Sequence, residues 1–199
     1  MAFIPSFPFF PKRIKAKVQL GFETAAEQNL LKSFISNSKI DHAYSFQRIC
    51  EGRHIDAGAF GLVFTKTELP GQVIKVVMEK DRGYQKWVEG FVLQNQGNPF
   101  VPKISSYARL NTGQIICIME RLDKYPSYDL GIPEHFEPIH PDLLFSKYKF
   151  STQGGLPREL AHIRNYLYSI CSPRRISWDL RDANIMLRGK QVVITDPIA

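Results

Sequence analysis

Apolar and polar positions change their period twice within the first half of the chain. Leu30, Leu31, Phe34 and Ile35 recur at helical steps behind Thr24 and Glu27, which have the spacing of a capping box, and so predict a short amphipathic helix through the twenties and thirties. From residue 46 the pattern becomes strand-like. Runs at 47–55, 61–66 and 72–77 are separated by turn signals, the second being Leu69-Pro70-Gly71, and predict a three-stranded antiparallel meander. Trp87, Val88, Phe91 and Val92 then return to helical spacing within 84–94. Two further strands are predicted at 103–110 and 114–121, on either side of Asn111-Thr112-Gly113. The expected order is β-β-β-α-β-β.

Residues 123–157 hold Pro126, Pro133, Pro138, Pro141 and Pro157 among many aromatics, which breaks any long periodic element and predicts a loop-rich crossing. A helix resumes with Leu156, Leu160, Ile163, Leu167 and Ile170 and stops near Pro173. The remainder reads as a loop at 174–184, a strand at 185–187, an Arg188-Gly189-Lys190 turn and a strand at 192–195. This divides the chain into an extension at 1–45 with a short helix, a first lobe at 46–122 and a minimal second lobe at 123–199.

The composition, 44% hydrophobic and 23% charged over 199 residues, is that of a globular chain forming one domain or two intimate lobes. Its 26 Lys and Arg against 19 Asp and Glu leave a formal charge of +7, which favours an anionic partner such as a nucleotide, a nucleic acid or an acidic protein surface without choosing among them. Cys50, Cys117 and Cys171 form no Cys-x-x-Cys pair, so neither a disulfide framework nor a zinc site is expected, and a reducing cytoplasm fits best. The apolar start is interrupted by Pro5, Pro8 and Pro11, and its basic residues Lys12, Arg13, Lys15 and Lys17 follow the apolar part. It does not read as a signal peptide, and the basic run reads as a solvated arm. No stretch approaches the roughly 18 uninterrupted apolar residues of a spanning helix, so the expectation is a soluble protein with no membrane partner.

Three stretches carry candidate chemistry. In the run 56–63, Gly58, Ala59, Phe60 and Gly61 lie between two strands, where small residues let backbone N–H groups approach a polyphosphate. Taken alone, a glycine pair in a hairpin is more often just a turn. Lys75 stands alone inside the apolar run Val73-Ile74-Lys75-Val76-Val77. Such an ammonium needs an anion when buried, or else snorkels to water from an edge strand. Glu89, 14 residues on, is the helix carboxylate best placed to meet it, with Glu79 as the fallback. The most informative run is Ser177-Trp178-Asp179-Leu180-Arg181-Asp182-Ala183-Asn184, followed twelve residues after Asn184 by Asp196. Phosphoryl transfer needs a carboxylate to orient the attacking hydroxyl, an amide and a carboxylate oxygen for Mg²⁺, and a cation for developing charge; Asp179, Asn184, Asp196 and Arg181 supply that set. Turn capping explains any one of them but explains poorly all of them at these intervals. The histidines form no His-Glu-x-x-His motif, and no serine lies in a Gly-x-Ser-x-Gly elbow.

The ordered set Gly58/Gly61, Lys75, Glu89, Asp179, Asn184 and Asp196 resembles the protein-kinase-like family over roughly residues 53–199. The resemblance implies an α+β, two-lobed fold with an antiparallel sheet in the N-lobe and a minimal, truncated C-lobe. It implies ATP and Mg²⁺ as cofactors: Gly58 to Gly61 over the phosphates, Lys75 on the α/β-phosphates and fixed by Glu89, and Asn184 and Asp196 holding Mg²⁺. Asp179 would act as the catalytic carboxylate, with Arg181 in the place of the usual phosphate-contacting lysine. A hinge at 119–122, here Glu120 and Leu122, would bind adenine through its backbone. The Asn184-Ile185-Met186 and Ile194-Thr195-Asp196-Pro197 motifs are similar to those of the early serine/threonine protein kinases of short-tailed coliphages, which implies protein acceptors, including host proteins, in a host cytoplasm. Departures are Asp56 for the first loop glycine, Ser177-Trp178 for the usual His-Arg, and Pro197 for Phe. With Ala199 three residues after Asp196, substrate binding is expected to fall to 123–157 or to a partner chain. Two alternatives stand beside the protein kinase: a small-molecule kinase of the aminoglycoside or choline type, against which the +7 charge argues mildly, and an inactive kinase-shaped binding protein. A nucleic-acid partner is not favoured, and the oligomeric state is left open.

Overall fold

The structure is a computed structural model that describes residues 24–36, 53–57, 61–110, 113–125, 157–171, 179–180 and 184–198. The basic arm, Gly58, Ala59, Phe60, Arg181, most of the predicted strand at 47–55 and nearly all of the proline-rich crossing lie outside these residues.

Five strands form one antiparallel sheet. They are β1 (Arg53–Ala57), β2 (Gly61–Thr65), β3 (Gln72–Val77), β4 (Ile104–Arg109) and β5 (Ile115–Glu120), in the spatial order β1-β2-β3-β5-β4. The turn into β3 uses Gly71 at φ 73° and the β4–β5 turn uses Gly113 at φ 92°, a left-handed backbone that only glycine adopts freely. Strand alternation assigns the faces. Val73 and Val77 of β3 and Ile115, Cys117 and Met119 of β5 enter one core, whereas Ile74, Val76, Ile116 and Ile118 enter the other.

Helix α2 (Arg82–Gly90), continued by a 3-10 turn at Val92–Gln94, packs on the first face. Asp81 caps it, its carboxylate accepting from the Tyr84 N–H at 2.9 Å. The predicted helix at 84–94 is therefore shorter than its apolar pattern, because the α-helical turns end at Gly90 and the pattern continues into tighter winding. Helix α3 (Arg158–Cys171) buries Leu160, Ile163 and Leu167 in the same core. A second, three-stranded antiparallel sheet consists of β6 (Asp123–Lys124), β7 (Ile185–Arg188) and β8 (Gln191–Ile194), with Gly189 at φ 61° in the tight β7–β8 turn. This is the two-part α+β architecture, with an antiparallel first-lobe sheet and a small second lobe, that the resemblance implies. No helix among the described residues is long and apolar enough to cross a membrane.

The opposite face of the large sheet is covered by α1 (Ala25–Ser36), whose Leu30 and Leu31 pack against Phe64, Ile74, Ile116 and Ile118. Its capping box is formed: the Thr24 N–H donates to Glu27 Oε2 at 2.7 Å and the Glu27 N–H to Thr24 Oγ1 at 3.2 Å. The other oxygen of Glu27 leaves the helix altogether. It accepts from Gln72 Nε2 at 2.8 Å and from Ser105 Oγ, on β3 and β4, and the residue is fully buried. Burial opposes its ionisation, but the bonds from Ser105, the Thr24 backbone and Gln72 more than offset this and hold the carboxyl below its usual range. Replacing Glu27 with Gln is expected to cost about 2–3 kcal/mol at neutral pH, the scale of hydrogen bonds to a charged group. Because the folded pKa is depressed, that stabilisation is complete above the ordinary value of 4.5 and disappears as the pH falls through the folded value. Urea midpoints of the two chains should therefore converge in acid; a difference independent of pH would refute the assignment.

Candidate active site

Lys75 lies between Val73 and Val77, so strand alternation turns it toward α2. In the ladders it stands between Val63 of β2 and Cys117 of β5. Its Nζ is 2.8 Å from Asp196 Oδ2 and 3.7 Å from the centroid of the buried Tyr84 ring, so the ammonium is held by a carboxylate and an aromatic face together. The Cβ that Gly61 lacks would stand 3.8 Å from Lys75 Cε, so of the glycine-rich run the described residue adjoins the lysine directly. Burial pushes the Cys117 thiol beside it up to about 12, which keeps it an inert thiol.

The second lobe brings the other candidates together. Pairing of β7 with β8 sets Ile185 opposite Ile194 and so places Asn184 beside Thr195, whose N–H and hydroxyl both donate to the Asn184 carbonyl, at 2.9 and 3.0 Å. The Asn184 amide nitrogen donates to Asp179 twice, to its carbonyl at 2.7 Å and to carboxylate Oδ2 at 2.9 Å. The Asp179 N–H in turn donates to the Pro197 carbonyl at 2.9 Å. Asp179 and Asn184 are thus bonded to each other beside the segment that carries Asp196, the residue that meets Lys75. The first turn of α2 fits closely against the same segment: a Cβ on Gly83 would lie 2.9 Å from the Ile198 carbonyl oxygen, leaving no room for even a methyl group.

Electrostatics mark Asp196 as the unsettled group. Burial pushes its carboxyl up to about 6, against the opposing pull of Lys75, and Asp81 and Asp179 add to the rise. Its second oxygen, Oδ1, is enclosed and makes no hydrogen bond among the described residues. A buried carboxylate oxygen lacking a partner is what a hard cation would satisfy. Asn184 is suited as a second holder, because an amide whose nitrogen is bonded to Asp179 keeps its oxygen for a cation. No group of three or more His, Cys, Asp or Glu converges on a common point among the described residues.

Glu89 does not meet Lys75. It binds Arg109 Nη1 at 2.7 and 2.6 Å through its two oxygens and accepts from the Tyr107 hydroxyl, with Arg109 also donating to Gln85 at 2.8 Å. The cause is helix phase: α2 turns Tyr84, Trp87 and Val88 to the core, which leaves Glu89 over strand β4. Glu79, the fallback, is exposed in the turn before α2.

Glu120 is likewise engaged within the protein. Its N–H donates to the Lys103 carbonyl at 3.0 Å, and its carboxylate accepts from the Lys103 N–H at 2.7 Å and from Arg188. Leu122 lies between β5 and β6, where the chain passes from one sheet to the other. Sequence reasoning does not reach Tyr84, Asp81 and Arg188, nor the bond from Trp87 described below. Only Asp81, as an N-cap candidate ahead of the apolar helix, offers a local signal.

No protein-family model matches the chain. No curated protein matches it either. Among solved structures, it is similar to the Mycobacterium tuberculosis PknI kinase domain at 16% identity, over 72% of this chain and 56% of that one, with a TM-score of 0.40. A second structure of the same domain gives 16% identity over 72% and 55%, with a TM-score of 0.38. The structure of Rad53 1-466 in complex with AMP-PNP gives 21% identity over 73% of this chain and 38% of that one, with a TM-score of 0.40. The chain thus spans little more than half of the PknI domain and well under half of the Rad53 chain.

Proposed function

We propose that this chain is an ATP-dependent phosphotransferase that moves the γ-phosphoryl group of ATP to a Ser or Thr hydroxyl of a protein. The observation that carries the reading is the contact between Lys75 Nζ and Asp196 Oδ2 at 2.8 Å, made across 121 residues and beside the bonded pair Asp179 and Asn184. In this reading Lys75 grips the α/β-phosphates, and the run Gly58 to Gly61 is assigned to the same phosphates, as the resemblance implies. Asp179 orients the acceptor hydroxyl and takes its proton, while Arg181 stabilises the transferred charge. Asn184 and Asp196 would hold Mg²⁺, which supplies neutralisation of the phosphate charge when bound. The backbone of Glu120 and of Leu122, in the hinge at 119–122, is the contact assigned to adenine.

The protein acceptor follows the resemblance to protein kinases, and the similarity to coliphage enzymes extends it to host proteins in a host cytoplasm. The test is transfer from γ-labelled ATP, with and without Mg²⁺, to a cytoplasmic extract and to a panel of aminoglycosides and choline. Label on protein that requires Mg²⁺ supports the reading. Label on the small hydroxyl compounds alone replaces it with a small-molecule kinase, and the absence of label and of any nucleotide-dependent stabilisation leaves an inactive binding protein.

A further inference from the structure

Thr195 separates the two residues assigned to Mg²⁺, and its peptide is fixed on both sides. Its N–H and hydroxyl hold the Asn184 carbonyl at 2.9 and 3.0 Å, and its own carbonyl accepts from the indole N–H of Trp87 at 3.1 Å. Trp87 is itself immobilised. It is wholly buried on α2, stacked on Phe91 at 5.2 Å with the rings 6° from parallel, and one turn from Tyr84, whose ring supports Lys75. The orientation of the Thr195 carbonyl sets the plane of the peptide that leads into Asp196 and so restricts the backbone from which the Asp196 side chain departs. Glu89, the carboxylate of α2, is bonded to Arg109, so α2 reaches the site through its aromatic residues.

We propose that Trp87 is a positioning residue which, through its indole N–H on the Thr195 carbonyl, aims the Asp196 carboxylate at the divalent cation. The assignment rests on the phosphotransferase reading. A partner bonded to a metal-holding group itself affects metal affinity by about 10–100-fold when removed; acting one residue away, through the Thr195 peptide, Trp87 is expected at the low end of that range, whereas ring packing affects stability. These two effects are separable, because the N–H can be removed without altering the shape of the ring.

Four chains test this: wild type, Trp87→Phe, a chain carrying 3-benzothienylalanine at position 87 alone, and Phe91→Leu. The thienyl sulfur stands in for the indole N–H in a ring of nearly the same shape, so that chain remains informative if Trp87→Phe does not fold. Thermal unfolding is measured without ligands, and Mn²⁺ binding is counted by electron paramagnetic resonance in the presence of ADP. Both position-87 replacements are expected to raise the Mn²⁺ Kd about tenfold, with Phe91→Leu lowering Tm while leaving that Kd within about twofold. Unchanged Mn²⁺ affinity in the position-87 chains overturns the proposal. So does an equal loss in Phe91→Leu, which would make the effect one of packing. A wild-type chain that unfolds cooperatively but binds neither ADP nor Mn²⁺ overturns the phosphotransferase reading itself, and the role of Trp87 falls with it.

Discussion

On the phosphotransferase reading, phosphoryl transfer by Asp179→Ala and by Asp196→Ala should each fall by about a thousandfold. For Asp179 the expectation is the about 10²–10⁴ that a positioned acid–base group contributes. For Asp196 it is the loss of the carboxylate on the cation side of the site, and the effect should persist at saturating Mg²⁺. The Asp196 change removes a strained carboxylate but also leaves the Lys75 ammonium without its ion-pair partner, so its effect on folding is measured alongside its rate. Burial has pushed its carboxyl up to about 6, so at neutral pH the protein pays to keep it ionised. The ammonium left behind, Lys75, retains the Tyr84 ring at 3.7 Å. Initial rates with labelled ATP, read beside circular-dichroism melts of the same preparations, decide the matter. Wild-type rates in either variant would remove that residue from the chemistry.

The second large effect is on stability and lies away from the chemistry. Arg188, at the end of β7, bonds through Nε to Glu120 Oε2 at 2.8 Å and through Nη2 to Oε1, and donates to the carbonyls of Pro99 and Val101, each at 2.9 Å. One guanidinium thereby links the small sheet to the end of β5 and to the loop before β4. Both side chains are less than a third exposed. Arg188→Met removes the charge and leaves the Glu120 carboxylate without its partner, which is expected to cost about 3 kcal/mol. In a chain of this length that corresponds to a fall in Tm of roughly 10 °C. Adding Glu120→Gln should recover part of the loss, because the uncompensated charge is then gone. Loss in the double variant equal to the sum of the two single losses would show that the pair is not coupled.

The parts of the fold legible in the sequence are those fixed by local chemistry. Strands β2 to β5 declare themselves because turn residues, Pro70-Gly71 and Gly113, punctuate runs of β-branched residues. Lys75 is conspicuous as the single charge in an apolar strand. The spacing of Asp179, Asn184 and Asp196 is also local, because all three sit on one hairpin and its flanks. What is not legible depends on contacts distant in sequence. The partner of Glu89 is set by the rotation of α2 about its axis and by Arg109, 20 residues away, so proximity in the chain to Lys75 misleads. Glu27 is readable as half of a capping box, but nothing local reveals that its second oxygen meets side chains 45 and 78 positions further on. Strand β6 is two residues long, too short to carry any period.

On the phosphotransferase reading, the pairing of Lys75 with Asp196 also couples the two ligands that the site would hold. Before any substrate arrives, these two groups neutralise each other. A nucleotide that draws the ammonium onto its phosphates strips Asp196 of its counter-charge, and a cation that takes the carboxylate does the same to Lys75. Each ligand alone meets a penalty that the other removes, so their affinities are thermodynamically linked. The factor by which the cation tightens the nucleotide must equal the factor by which the nucleotide tightens the cation. On that reading the resting ion pair would act as an internal surrogate for the metal nucleotide, displaced efficiently only by the complex of the two.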